Sequence, residues 1–539
     1  MSRIELCTLL LIFAIALLMP ERWAAFLRRM WRHCATFHHA PKVMICAFTL
    51  IAFAGHMAFS LLVRFPEPFI VDEVSYLFGA ETFASGRLTN PTPPFHHHFA
   101  FIHNIETPSW QMKYPPGQSL VLAFGSLFGH PVVGAWIGMA LTAGGVCWML
   151  AAYLPRRWVL LGSVIAMLNW WINVRNGQSY LGTSLAMIGG VIALGALPRV
   201  LTSPHPAHGL LLGLGLFFMA ISRPWEGLVM SLPAAVLILR QLQNAQNADR
   251  RALIIRGLLP CLLVLVTGLG WLGYYHYRVT GSAWLMPYEV WIQQKSRQRL
   301  SALISSVGRL IHDQKNPDFT FYQRVHYVLE RSSARIFPTL LMCFPMHVSF
   351  GLAFLPLMHR QPWFRFLLLT AAITWTAIFL EQPLWIPPEY AGPIFGLNTL
   401  LMTLGIRGIS TLKMGSCRIG GRLPVNVMAG AIVVFAANCL RTEKAGPYPE
   451  PVQHRLQYSQ QLRATPGKDL VFVSSPPKDD YHYSWLHNQP NIDSADILWV
   501  LSLNADSDKL LRSHFSDRCA WVLSWEDRSP KLQPIDDIE

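Results

Sequence analysis

Apolar residues in this chain are gathered into blocks of about 15 to 22 residues, the length at which a helix crosses the hydrocarbon core of a membrane. Polar or proline-rich segments separate the blocks. A helix satisfies its own backbone hydrogen bonds inside hydrocarbon, so helical spans fit this pattern. The pattern predicts twelve spans, at residues 5–19, 43–63, 131–153, 158–171, 180–197, 209–222, 226–239, 257–277, 338–358, 364–380, 390–406 and 424–440.

The first block allows two interpretations. It is short and lies between Arg3 and Arg22, as the apolar part of a signal peptide would. No small-residue cleavage site follows Pro20, which favours a retained helix.

Lys and Arg residues concentrate in alternate breaks, which predicts that those breaks are cytoplasmic loops. The basic breaks are residues 22–42, 156–157, 240–256, 360–365 and 407–422. By parity, the opposite side receives residues 64–130, 172–179, the turn at Arg223, 278–337, 381–389 and the chain after residue 440.

The outer segment 278–337 is itself rich in Lys and Arg, but it is long enough to escape the rule for short loops. One interpretation is a basic amphipathic helix that lies on anionic lipid. The other is a surface that gathers an anionic lipid-phosphate substrate.

Composition agrees with a membrane protein. The 539 residues are 52% hydrophobic and 14% charged, whereas about a quarter of a soluble globular protein is charged. The formal net charge of +14 comes from Lys and Arg between the apolar blocks, so it reflects membrane topology and not a nucleic-acid surface. The nine cysteines are odd in number and mostly lie in or beside apolar blocks, which predicts free thiols and no essential disulfide.

The tail after residue 440 has a different composition and contains no block that could span a membrane. Residues 470–474, 497–503 and 520–524 are predicted strands, and residues 508–513 are predicted to be helical. The predicted fold is an all-α polytopic membrane protein of about 11 to 12 transmembrane helices with a small C-terminal α/β extramembrane domain. Its parts are residues 1–42, an N-terminal helix and basic loop; 43–440, the transmembrane domain; and 441–539, the outer α/β domain.

Two adjacent carboxylates, Asp72 and Glu73, open the first outer loop. Apolar surroundings raise the pKa of a carboxyl group, which makes one of the pair a candidate general base. The alternative is a solvated helix cap.

Several segments of the outer loops occur together in one order. They are VDEVSY at 71–76, GRL at 86–88, the proline-flanked stretch 91–94, KYPPG at 113–117, SRPWEGL at 222–228, YRVTG at 277–281 with MPY at 286–288, and NIDSA at 491–495. In this order they resemble GT-C glycosyltransferases, the group that contains protein O-mannosyltransferases and the lipid A aminoarabinose transferase. The resemblance runs from about residue 65 to near the end.

The resemblance implies the GT-C fold and an inverting sugar transfer from a polyprenyl-phosphate donor to an acceptor hydroxyl on a glycan, lipid or protein. It assigns the general base to Asp72 and an orienting role to Glu73. The matched or aligned segments supply the substrate-binding candidates Lys113, Tyr114, Arg223, Glu226, Arg278, Tyr288, Glu389 and Tyr390. It also implies a bacterial inner membrane, with the site and the C-terminal domain on the periplasmic side.

Arg223 is the strongest phosphate candidate, because a guanidinium grips two phosphate oxygens and keeps its charge. The alternative is an Arg223–Glu226 pair that only closes a turn. Lys113 precedes Pro115-Pro116, so it is expected either to point at the same phosphate or to reach lipid headgroups.

His96, His97, His98 and His103 form the sequence cluster that looks most like metal ligands, and Asp72 is a further oxygen ligand nearby. Three consecutive histidines in a loop do not readily direct three rings at one ion, so no metal ligand is assigned. No cofactor is assigned either, although a divalent cation is an alternative helper for the leaving phosphate.

The chain departs from the family at two places. Asn176 to Tyr180 contain no acid where several members have a second one, and Glu389-Tyr390 stand where many members have a His-Tyr pair. Substrate use, metal use or activity is therefore expected to differ.

Two other classes of protein share part of this pattern. A transporter or flippase of lipid-linked intermediates would place ionisable residues at mid-membrane and show internal repeats, and neither is visible here. A catalytically silent envelope scaffold, with the tail as its binding module, fits the sequence as well.

Overall fold

The computed structural model describes residues 3–18, 41–294, 343–381, 388–412, 423–444, 450–474, 485–526 and 529–535, with the single positions 22, 23, 25, 26, 29 and 448. Most of the basic segment 278–337 and the loop residues 382–387 and 413–422 lie outside these ranges. The predictions made for them therefore stay predictions.

The described chain is mainly helical, and six helices are long and apolar enough to cross a membrane. They are Pro41–Leu62, Pro131–Leu150, Ser184–Thr202, Pro224–Asn244, Asn247–Thr280 and Leu423–Thr442. Shorter apolar helices are Pro206–Ala220, Phe364–Leu380 and Phe395–Ile409. All nine coincide with predicted spans, which confirms a polytopic membrane protein.

The other three predicted spans are not among these nine helices. Residues Arg3–Leu18 are a helix of 16 residues. The span predicted at 158–171 is wrong, because the chain forms two helices, Arg156–Met167 and Trp170–Gly177. Asn169 separates them by accepting a hydrogen bond from the Ile172 N–H, as a helix-starting residue does. Near 338–358, the described part is a short helix, Met346–Ser349, followed by the 3-10 segment Phe350–Met358.

Shorter elements lie between the span helices. The first outer loop contains helix Val71–Ala84, the 3-10 turn His96–Phe99, a hairpin of Asn104–Ile105 with Gln111–Met112, and helix Gly117–Ser126. Gly134 lets the last of these approach span Pro131–Leu150 closely, because a Cβ at Gly134 would overlap the Val121 carbonyl oxygen. This contact holds the loop against the helix bundle just after Lys113 and Tyr114.

The predicted outer loops meet at one end of the bundle. Tyr180 donates its N–H to Glu73, the Gly117 N–H donates to the Ile221 carbonyl, and Arg175 pairs with Glu389. Together, these contacts bring loop 64–130, segment 172–179, the Arg223 turn and segment 381–389 to the same end of the bundle. The alternation of basic loops predicted that these four parts lie on one side of the membrane.

The tail forms an α/β domain, as predicted. Its sheet order is Ile497–Leu501, Lys468–Val473, Arg518–Glu526, Ser529–Pro534; the first three strands are parallel and the last is antiparallel. Helices Glu450–Arg463 and Ala505–His514 complete it. The polar strand Ser529–Pro534 was not predicted, because it lacks the apolar residues of a buried strand.

The C-terminal domain packs on the first outer loop. Phe78, Phe99 and Trp110 of the loop share one buried apolar cluster with Leu498 and Phe515 of the domain. Polar contacts reinforce this interface: both ring nitrogens of His98 contact the domain, and the Arg455 guanidinium donates to the Pro68 carbonyl. The loop therefore completes its core only when the tail is in place.

Candidate functional site

Asp72 occupies the first turn of helix Val71–Ala84 and meets two partners from the hairpin that follows. The Tyr114 hydroxyl donates a short hydrogen bond to the Asp72 carboxylate. The His103 Nδ1 atom lies 3.1 Å from that carboxylate and 3.0 Å from the Tyr114 hydroxyl. The three groups therefore form one contact cluster, at which the Asp72 side chain is one-third exposed (33%).

The environment lowers the pKa of Asp72, which corrects the predicted rise. Burial pushes this pKa up, as expected, but hydrogen bonding and charge from His103, the hydrogen bond from Tyr114 and the charge of Lys113 outweigh it. The pKa falls to about 2. Asp72 is therefore a carboxylate throughout the physiological pH range.

Glu73 does not have the predicted contact with Asp72. Its Oε2 atom accepts hydrogen bonds from the N–H groups of Phe69 (2.8 Å) and Ile70 (3.1 Å), and its Oε1 atom accepts one from Tyr180 N–H (3.0 Å). These bonds cap the loop helix and tie it to the segment after Trp170–Gly177. Burial raises the pKa of Glu73, against these bonds and the charge of Arg175. The orienting groups of Asp72 are instead His103 and Tyr114.

Lys113 is enclosed by aromatic rings. Its Nζ atom lies 3.7 Å from the centroid of Trp291, 5.0 Å from that of Tyr114 and 5.5 Å from that of Tyr288. The side chain is buried, which excludes the predicted alternative that it reaches lipid headgroups. This arrangement brings Tyr288 into the site and places a cation close enough to Asp72 to lower its pKa.

Arg223 lies immediately before helix Pro224–Asn244, with its guanidinium 4.3 Å from the Tyr390 ring centroid. Its Nη1 atom is 3.8 Å from the Glu226 carboxylate, an ion pair without a hydrogen bond. The buried Nε–H has no hydrogen-bond partner among the residues that the structure describes. Burial lowers the pKa of Arg223, but Glu226, Tyr76, Tyr390 and Glu389 raise it, and the net direction is upward.

Glu389 and Tyr390 join the same cluster from the other side of the bundle. The Arg175 Nε–H donates a short hydrogen bond to Glu389 Oε1, while Glu389 Oε2 is buried without a hydrogen-bond partner within the described chain. Tyr390 covers Arg223. The chain thus has an ion pair between buried Glu389 and partly exposed Arg175, at the place where many members of the resembled family have a His-Tyr pair.

Tyr76 connects the two halves of the site. Its ring stacks on Tyr114 with centroids 4.6 Å apart and planes inclined by 21°. Both Arg223 and Asp72 act electrostatically on its hydroxyl. A glycine at 182 makes room for this hydroxyl, because a Cβ there would overlap it. Asp72 and Arg223 therefore face a common tyrosine.

Nine of the ten predicted site residues lie in this arrangement. Glu73 is one of them, but its hydrogen bonds are structural contacts with the backbone. Arg278 does not lie in it. It is exposed on helix Leu259–Thr280 and donates to the hydroxyl of Tyr274, one turn earlier on the same helix, at 3.1 Å. It is therefore separate from the contacts that join Asp72 to Arg223.

A cavity of about 580 Å³ opens beside Glu73 and Arg175. Trp170 and Trp171 line it from one side, and Arg441 and Tyr448 line it from the segment that leads to the C-terminal domain. Asp72, His103 and Tyr114 are not among the residues that line it.

The four histidines that were considered as metal ligands have different partners. His98 Nδ1 lies 2.8 Å from the Leu501 carbonyl oxygen, and its Nε2 lies 2.8 Å from Ser507 Oγ. His103 contacts Asp72. Only His96 and His97 remain together, and Glu106 joins them: one ligand atom from each of the three lies within 4.8 Å of the others.

No protein-family model matches this sequence, and no curated protein matches it either. Solved structures match over most of the chain. ArnT from Cupriavidus metallidurans bound to undecaprenyl phosphate is 14% identical, with a TM-score of 0.51 over 89% of this chain and 92% of that chain. The archaeal oligosaccharyltransferase AglB from Archaeoglobus fulgidus, in complex with an inhibitory peptide and a dolichol-phosphate, is 11% identical, with a TM-score of 0.50 over 90% and 69%.

Both structures are GT-C glycosyltransferases. The chain has the GT-C fold. ArnT in the apo state gives the same result, with 12% identity and a TM-score of 0.51 over 89% of this chain and 92% of that chain. The GT-C fold confirms the predicted architecture, in which a helical membrane domain carries a C-terminal sheet domain.

Sequence reasoning missed the contacts of four residues that complete the candidate site. They are His103, Tyr76, Trp291 and Arg175. Tyr76 lies inside the matched VDEVSY segment and His103 was considered only as a metal ligand, so their chemistry was visible but their partners were not. Trp291 follows the matched MPY segment by three residues, and Arg175 precedes the segment that was noted for its missing acid.

Proposed function

We propose that this chain is an inverting GT-C glycosyltransferase, which moves a sugar from a polyprenyl-phosphate donor to an acceptor hydroxyl on the outer face of the membrane. One observation carries the proposal: in a chain with this fold, the ionised carboxylate Asp72 and the largely buried cation Arg223 both act electrostatically on Tyr76, whose ring stacks on Tyr114, the hydrogen-bond partner of Asp72. The ArnT structure with the same fold holds undecaprenyl phosphate.

In the proposed reaction, the acceptor oxygen bonds to the anomeric carbon while the bond from that carbon to the phosphate oxygen breaks. The electron pair leaves with the polyprenyl phosphate, and the hydroxyl proton passes to Asp72. A carboxylate with a pKa of about 2 is a weak base, since general bases work best near the operating pH. In the proposed complex, the acceptor hydroxyl replaces Tyr114 as the donor to Asp72, so the proton to be removed lies on the carboxylate oxygen that receives it.

Arg223 is proposed to hold the donor phosphate. A buried donor without a partner costs about 1–3 kcal/mol. A phosphate oxygen at the Arg223 Nε–H would remove this cost and would make a charge-assisted hydrogen bond. Tyr390 fixes the plane of the guanidinium, which leaves its edge for the phosphate.

Lys113 has a supporting role in this proposal. Its ammonium group already lies on the face of Trp291, and its charge keeps Asp72 ionised. It also adds positive charge on the side of the cluster where the phosphate leaves.

The cavity beside Glu73 and Arg175 fits a polar headgroup. Trp170 and Trp171 offer aromatic surface for a sugar ring. The buried charges Glu73, Lys113 and Glu389 belong to the loop end of the bundle, whereas a transporter would carry such groups at mid-membrane.

The test is a reconstituted assay with a panel of polyprenyl-phosphate sugars, in which release of free polyprenyl phosphate is measured. Wild-type protein should release it from at least one donor, and Asp72→Asn should not do so at a comparable rate. Equal release by the two proteins would reject Asp72 as the base. Movement of intact donor across the vesicle membrane, without release, would support a flippase instead.

A further inference from the structure

The turn at His96–His97 and the hairpin residue Glu106 lie beside each other on the surface of the first outer loop, away from the proposed reaction. Their rings and carboxylate are the group of side chains, among those described, that could hold a metal ion. We propose that His96, His97 and Glu106 bind one Zn²⁺ ion.

The distances are close to those of a bound ion. One ligand atom from each residue lies within 4.8 Å of the others, and His97 Nδ1 is 3.8 Å from a Glu106 carboxylate oxygen. Ligand atoms about 2.0–2.1 Å from a tetrahedral Zn²⁺ are roughly 3.3 Å apart. Small rotations of the His97 side chain, which is 73% exposed, bring the ligands to that spacing.

The backbone holds the turn in the required position. Phe95 has a left-handed conformation, with φ of 54°, and starts the 3-10 turn His96–Phe99. His98 points inward and is fixed by its two contacts with the C-terminal domain. Because His98 and Phe99 are buried, the two preceding rings lie on the outer side of the turn. On the other side, Thr92 Oγ1 donates to the Glu106 carbonyl at 2.6 Å.

The ligand types select the metal. Two imidazoles and one carboxylate suit Zn²⁺, whereas Ca²⁺ and Mg²⁺ prefer oxygen ligands. Three protein ligands leave a fourth position for water. The direct His97–Glu106 contact at 3.8 Å is an ion-pair distance that is longer than a hydrogen bond.

An ion at this position would link two parts of the loop that act on different neighbours. The turn contacts the C-terminal domain through His98, and Glu106 follows His103, the partner of Asp72, by three residues. The ion would therefore connect the turn on which the C-terminal domain packs to the hairpin segment whose His103 positions Asp72. The proposed role of the ion is structural, because the histidine that contacts Asp72 is His103, which is not one of the three ligands.

The experiment measures Zn²⁺ binding directly. Full-length protein without a polyhistidine tag is purified in detergent, stripped with a chelator and titrated with Zn²⁺ against a chromogenic competitor. Wild-type protein should bind one Zn²⁺ tightly. His97→Ala and Glu106→Gln should each weaken Zn²⁺ binding by at least about 10- to 100-fold. Loss of a residue that only hydrogen-bonds to a metal ligand already has an effect of this size.

A double variant, His205→Ala with His208→Ala, is the matched control, because it removes another neighbouring pair of histidines, of which one is exposed and one is partly exposed. It should keep the tight site. The proposal is overturned if wild-type protein and Glu106→Gln bind Zn²⁺ equally, or if Mg²⁺ competes with Zn²⁺ at equal concentration. The assay needs no turnover, so its result is independent of the proposed glycosyltransferase activity.

Discussion

His103 Nδ1 lies 3.1 Å from the Asp72 carboxylate and 3.0 Å from the hydroxyl of Tyr114, which itself donates to Asp72. Both partners favour the ionised carboxylate, so the proposed base is charged before any substrate arrives. The cost is low basicity. Substrate binding must change this cluster before Asp72 accepts a proton, which makes His103 and Tyr114 part of the reaction's control.

Asp72→Asn should lower turnover by about 10² to 10⁴-fold with nearly unchanged protein yield, because the amide keeps the size of the side chain but cannot take a proton. The measurement is release of polyprenyl phosphate. Glu73→Gln is the contrasting variant. Its amide nitrogen cannot accept from the N–H groups of Phe69 and Ile70, so we expect reduced thermal stability and little change in turnover of the folded fraction. Near-wild-type turnover in Asp72→Asn contradicts the assignment.

The pH profile should move when His103 is replaced. Asp72 has a depressed pKa of about 2 in the folded protein, so the wild-type rate should show no acidic limb from this group between pH 5 and 8. His103→Phe keeps a ring but removes the charge and the hydrogen bond that lower the pKa. The pH below which the rate falls should increase by about 1 to 3 units, because fewer interactions then oppose the rise in the Asp72 pKa that burial causes. An unchanged profile would show that His103 does not control Asp72.

Arg223→Lys should raise the donor KM by about 10- to 100-fold, corresponding to loss of a charged hydrogen bond of about 1.5–3 kcal/mol. Lysine keeps the charge but loses the planar fork. Arg278→Lys is the matched control, since that arginine is exposed and contacts Tyr274 on its own helix. If the two variants had the same donor KM, the proposed phosphate-binding role of Arg223 would be contradicted, and only its ion pair with Glu226 would remain.

Glu81 gives a test of stability. Burial raises the pKa of this carboxyl to about 7, above its unfolded value near 4.3. Its contribution to stability is therefore fully present below about pH 4 and is lost as the pH rises through 7. Glu81→Gln should unfold at a higher temperature than wild type at pH 8 and should match it near pH 4. If the difference in unfolding temperature between Glu81→Gln and wild type were the same at both pH values, the raised pKa of Glu81 would be contradicted.

Topology is tested by cysteine labelling. The seven cysteines in the described part of the chain are free thiols, as predicted, so a cysteine-free background should fold. In that background, Ser85→Cys and Ser513→Cys should be labelled from one side of the membrane and Asn247→Cys from the other. Labelling of all three from the same side would remove the outer-face placement of the proposed reaction.

The apolar pattern was sufficient to predict the membrane fold, because span helices depend on a long local signal. Its one clear error is the span at 158–171, where Asn169 starts a new helix inside an apolar stretch. A single polar residue carries too little weight in such a pattern. The short strands of the tail were found because their residues are continuously apolar, as in a parallel sheet buried on both faces.

Most residues of the candidate cluster were named from the sequence, but their contacts were not. Asp72, Arg223 and Lys113 stand out as charges at helix borders, whereas the partner of each lies far away in the sequence or in another loop. The direction of the Asp72 pKa was wrong for this reason. Apolar surroundings are visible in the sequence, but a histidine that folds back from position 103 is not.

The contact of His98 with Leu501 joins residues that are 403 positions apart. During synthesis at about 5–20 residues per second, the ribosome needs roughly 20 to 80 s to make the chain between them. Throughout that time, Phe99 and Trp110 lack the cover that Leu498 and Phe515 later provide. The reaction centre is thus among the last parts to be assembled, and a nascent chain that stalls before the tail should remain both inactive and a target for quality-control proteases.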